Sequence, residues 1–159
     1  MFQLAPAVAG SRASWNTLPA KGTIMDVSTL KVAGTGALHL KSATGEPLYD
    51  GDKPVRVILH GPGSREFGAV ESRQGARAIK RMNDNEGKIT APTAEERLAE
   101  TTEDLADLTV QFEGLTCGDK QGSDLFRAVY GDPHLGYITR QVSKFVADWG
   151  NFKAASHAA

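Results

Sequence analysis

The chain has 159 residues, 40% of them hydrophobic and 23% charged, with 18 basic against 19 acidic side chains and a net charge of −1. That length fits one folded core, and the near-cancellation of charge argues against a nucleic-acid binder held by phosphate contacts, which needs a basic surplus. The single cysteine, Cys117, excludes an intrachain disulfide and a CxxC metal site and points to a reducing cytoplasm, and no apolar run approaches the ~20 residues that cross a bilayer.

Residues 1–24 mix Pro, Ala, Gly and Ser without helical or strand periodicity and read as an irregular arm. No basic segment precedes the arm's one weakly apolar stretch, which argues against a signal peptide. Two explanations stand side by side: an over-extended gene start ahead of Met25, and a real arm that docks on a partner. Residues 25–153 read as a single α+β domain and residues 154–159 as a frayed tail.

Strand patterning begins at "ALHLK", with Leu38 and Leu40 on one face and His39 and Lys41 on the other, and residues 27–32 are a candidate for one strand more. "PVRVILH" alternates in the same way, setting Val55, Val57 and Leu59 opposite Arg56, Ile58 and His60. Thr-Gly and Asp-Gly pairs between the two runs are turn formers. A small antiparallel sheet of this size needs a cover for its apolar face.

Helical patterning supplies the cover. Ser64 is a good N-cap for about five turns from "SREFGAVESRQGARAIKRMND", in which Phe67, Val70, Ile79 and Met82 form the apolar side and Gly75 weakens the middle. After the exposed linker "NDNEGKITAP", Thr93 and Glu96 make a capping box. The following helix takes Leu98, Leu105, Leu108 and Phe112 as its stripe and Gly114 as its stop. This helix is acidic and the previous one basic, so opposite signs favour packing them side by side. "SDLFRAVY" is a two-turn helix. In the last segment Asp132 caps, Pro133 takes the first helical position, and Leu135, Ile138, Val142, Phe145 and Trp149 form the strongest amphipathic seam of the chain. The expected fold is therefore α+β, a small antiparallel sheet covered by three to four helices.

Candidate chemistry is sparse. "LHGPGSREF" lacks the lysine and glycine spacing of a phosphate loop, so Gly61, Pro62, Gly63 and Ser64 read as a tight strand-to-helix corner. His39, His60, His134 and His157 have no metal-ligand spacing, and His60 with Ser64 lacks a nucleophile elbow and an evident orienting carboxylate. Cys117 has no histidine near it in sequence to lower its pKa. The basic stretch "SRQGARAIKR" reads as a face that meets the acidic helix rather than nucleic acid. No catalytic, metal or cofactor-binding residue is assigned. Phe145, Trp149 and Phe152 are the candidate partner-binding residues, an aromatic anchor of the kind that dominates interfaces; closing the core is their plainer role.

"TLKVAGTGALHLK", "GEPLYDGDKPVRVILHGPGSREF" and "FRAVYGDPHLGYITRQVSKFVADWGNF" together resemble the small tail assembly chaperones of long-tailed (siphovirus-type) bacteriophages, over residues 25–153. The landmarks are the Gly-Pro-Gly-Ser corner, the "YGDP" cap and the "DWGNF" helix end, none of them catalytic. The resemblance implies a non-catalytic helper in the host cytoplasm that binds the tape measure protein and other tail proteins and works as a homo-oligomer; no cofactor and no membrane partner are expected for the chain. Such chaperones are often made with a frameshifted longer partner. The alternative is a structural virion component of the neck or tail, such as a tail-completion or minor tail protein.

Overall fold

The computed structural model describes residues 24–154, so the expected arm over residues 1–24, apart from Ile24, and the expected tail over residues 154–159, apart from Ala154, lie outside the described residues. Contacts divide the chain into two units after Lys31. In the first, residues 27–30 form a 3-10 turn and not the additional strand considered above. Asp26 decides this locally: its carboxylate accepts from Ser28 N at 2.8 Å, and Thr29 Oγ1 donates to its carbonyl at 2.7 Å.

The second unit is α+β. Strand β1 (Thr35–His39), the short hairpin β2 (Tyr49–Asp50) and β3 (Lys53–Pro54), and strand β4 (Arg56–His60) come first. Helix α1 (Arg65–Asp84) and helix α2 (Ala94–Leu108) follow, then strand β5 (Thr109–Glu113), helix α3 (Ser123–Tyr130) and helix α4 (Gly136–Val146). The main sheet is antiparallel in the order β1-β4-β5. Its register aligns Leu38 with Val57 and Val57 with Phe112. Alternation puts Val55, Val57, Leu59 and Leu40 in the core, as the period-two pattern predicts.

Strand β5 is a departure from the sequence reading, which carried the second helix through to Gly114. The helix ends at Leu108, and the β-branched pair Thr109 and Val110 starts a strand that completes the sheet. Phe112 keeps its place in the core from the strand, edge-to-face with Phe126 at 5.6 Å. Thr109 is buried at the junction. Its hydroxyl donates to Leu105 O at 2.7 Å, so the buried Tyr130 hydroxyl is left to donate to Thr109 Oγ1, also at 2.7 Å. Burial holds the Tyr130 phenol well above its usual range, although the Thr109 hydrogen bond acts in the opposite direction.

The helices cover the inner face of the sheet unequally. Helices α2, α3 and α4 bring Leu105, Leu108, Phe126, Val129, Ile138 and Val142 into one cluster with the strand residues. Helix α1 contributes Val70 as its one buried side chain, with Phe67 partly buried. Helices α1 and α2 do lie side by side as their charges suggest, joined by ion pairs from Arg73, Arg77 and Arg81. The capping box is present in full: Glu96 N donates to Thr93 Oγ1 at 3.2 Å, and Thr93 N donates to Glu96 Oε2 at 2.8 Å.

The last amphipathic segment is three pieces and not one helix. Asp132 accepts from His134 N and Pro133 opens a 3-10 turn, Pro133–Leu135, before α4. After α4, Asp148 accepts from Gly150 N at 2.8 Å and starts a second 3-10 turn, Trp149–Asn151. That break turns the chain so that Phe152 enters the core.

Candidate functional site

The corner that opens α1 and the aromatic end of the chain form one structure. Phe152 is fully buried, and its ring lies against two backbone segments that have no side chain. A Cβ placed on Gly61 would stand 2.6 Å from Phe152 Cδ1, and one on Gly36 would stand 2.9 Å from the same atom. Only glycine leaves room for a ring at that distance. The same end is held by Ala33 N donating to Phe152 O at 2.9 Å and by Asn151 Nδ2 donating to Phe145 O at 3.0 Å. Phe145 meets Phe152 edge-to-face, with ring centroids 5.2 Å apart.

Trp149 takes a different position. It is 56% exposed, and its ring passes over Gly63, where a Cβ would lie 3.4 Å from Trp149 Cζ3. The three candidate partner-binding residues therefore divide by depth. Phe152 closes the core, Phe145 is half-buried, and Trp149 presents an aromatic face to solvent. Phe145 also lines a groove of about 360 Å³ with Leu38, Lys41, Gln141 and Lys144. Across it, Lys41 N donates to Gln141 Oε1 at 2.8 Å and Gln141 Nε2 donates to Lys41 O at 2.9 Å. One side-chain amide thus satisfies the chain just beyond β1 as a neighbouring strand would.

Ser64 and His39 are held in structural hydrogen bonds, whereas His60 has the neighbouring carboxylate that the sequence does not reveal, Glu66. Ser64 Oγ donates to Gly61 O at 2.6 Å and accepts from Phe67 N at 3.2 Å, which makes it the cap of α1. His60 Nδ1 lies 3.5 Å from Glu66 Oε2, so its nearest charged neighbour is a carboxylate at the same helix start. His39 Nε2 donates to Leu48 O at 2.7 Å, and its ring stands edge-on to Tyr49. Cys117 is exposed in the loop after β5. Among the described residues, no group of three His, Cys, Asp or Glu side chains is placed to hold a metal ion, and no helix is long and apolar enough to cross a membrane.

A second apolar surface was not singled out by the sequence reading, which assigned Ile79 and Met82 to the covered side of α1. Ile79 is 57% exposed, and Ile89, in the linker between α1 and α2, is 92% exposed. With Ala78 and Met82 they line a groove of about 270 Å³. A signal for this is present in the spacing: Ile79 is two residues from both Arg77 and Arg81. Since those arginines face α2, Ile79 faces away from it. No family model matches the chain, and no curated protein and no solved structure matches it.

Proposed function

We propose that this protein is a non-catalytic tail assembly chaperone of the long-tailed bacteriophage type. In this reading it works in the host cytoplasm as a homo-oligomer and holds the apolar helical tape measure protein while the tail tube assembles around it. Support comes from the resemblance carried by the Gly-Pro-Gly-Ser corner, "YGDP" and "DWGNF". The observation that carries the proposal is Trp149, a large aromatic held half-exposed on a glycine seat at Gly63. A fixed, half-exposed aromatic ledge suits the capture of the apolar side of an amphipathic helix.

Co-expression with the tape measure protein is the test. The expected result is a tape measure chain that stays in solution and co-purifies with this protein. Trp149→Ala keeps the fold, because the ring is half in solvent, and weakens capture by about 2 kcal/mol. A folded Trp149→Ala protein that captures at full affinity overturns the ledge. Recovery of this protein in stoichiometric amount from purified particles overturns the chaperone role in favour of a virion component.

A further inference from the structure

We propose that the outer part of α1, residues 71–84, is clamped by charge onto the second half of α2 and opens as a unit separate from the hydrophobic core. Beyond Val70, helix α1 runs to Asp84 without a buried residue. Its large apolar side chains there lie outside the core, Ile79 exposed and Met82 partly covered in the groove with Ile89. Attachment comes instead from Arg73, Arg77 and Arg81, one turn apart on a single face. Arg73 reaches Asp107 at 2.6 Å and Asp104 at 2.8 Å, Arg77 reaches Asp104 and Glu103 at 2.8 Å each, and Arg81 reaches Glu100 at 2.5 Å.

Asp104 is the centre of the clamp. Its carboxylate is nearly buried and accepts from Arg73, Gln74 and Arg77, all on α1. The outer carboxylates of Glu103 and Asp107 are about half exposed, so salt screens the ladder where it would not weaken an apolar seam. The helix itself has little to fall back on. Gly68 and Gly75 face open space and lower its propensity, and a lone helix of this length is marginal in water. Once unclamped, the segment loses its hydrogen bonds.

What the clamp covers gives the opening a consequence. A wedge of about 260 Å³ lies between α1, α2 and α4, lined by Phe67, Val70, Leu105, Leu108 and Val146 among others. Lifting residues 71–84 removes Glu71 and Gln74 from one wall of the wedge and opens it from that side. The clamp therefore controls access to this apolar wedge through charge pairing, whatever partner the protein serves.

Hydrogen exchange of the full chain, read by mass spectrometry, tests this. Residues 71–84 should be less protected than α3 and α4, and their exchange should rise about tenfold between ~0.05 M and ~1 M sodium chloride. Ile138→Val, a mild loosening of the core, should speed exchange in α3 and α4 about fivefold and leave residues 71–84 unchanged. Asp104→Asn should speed exchange of residues 71–84 at low salt, while the response to added salt, which comes from the outer pairs of Glu103 and Asp107, persists. The proposal is overturned if residues 71–84 ignore salt, if Ile138→Val speeds them as much as α3 and α4, or if a folded Asp104→Asn protein exchanges residues 71–84 no faster at low salt. Should Asp104→Asn fail to fold, the salt series and Ile138→Val decide.

Discussion

Phe152 and the two glycines beneath it are the clearest case of a single side chain deciding a local structure. The ring fills the space that Cβ atoms at positions 36 and 61 would occupy. Gly61→Ala should therefore destabilise the fold by about 1–3 kcal/mol through overpacking, measured by urea unfolding. Phe152→Ala should cost about 3–5 kcal/mol. The two losses should not add, since removing the ring removes the clash, and a double-mutant cycle that showed simple additivity would contradict the seat. The "GPG" corner was legible in sequence as a turn, but the reason for its first glycine was not. The expected reason is the tightness of the strand-to-helix corner. The observed one is space for a residue far along the chain, which no local pattern can show. Trp149 and Phe152 look equivalent in sequence for the same reason: a break at Asp148 separates one ring facing water from one facing the core.

Elements were legible where the signal is local and chemical. The capping box of α2, the Ser64 cap of α1 and the alternation through β4 all follow from residues within a few positions of one another. Strand β5 was not, because Phe112 lies four residues after Leu108 and so continues a helical stripe as convincingly as it begins a strand. The unfilled edge of the sheet settles the competition in favour of the strand, and that is a tertiary demand. Two outcomes test the capping box. Thr93→Ala should cost about 1 kcal/mol, read as a lower thermal midpoint. Its hydrogen bonds to Thr93, backbone first, hold the Glu96 carboxyl below its ordinary value of 4.5. A lowered folded pKa gives stability that is present above that value and lost as pH falls through the lower one. The start of α2 should thus fray on acidification below about pH 4.5, and Glu96→Gln should remove that part of the acid response. Amide chemical shifts across Thr93–Glu96 would follow both.

At the scale of the whole molecule, two kinds of cohesion divide the chain. Apolar burial joins the sheet to α2, α3 and α4, whereas ionic pairing joins the outer part of α1 to α2. The fold class was readable from patterning because apolar faces of both periods were present and had to cover one another. The uneven share of α1 was not, since an apolar residue in a helical stripe was taken to be a covered one. Cohesion is also uneven along the chain. The strands near the beginning are completed by groups near the end: Gln141 pairs with the backbone of Lys41, and Phe152 lies on Gly36 and Gly61. For a polypeptide leaving the ribosome, this means that the first strands emerge without the ring that seals them. A nascent chain halted at Ala147 should stay open to protease, and protection should set in only after the aromatic end has cleared the exit tunnel.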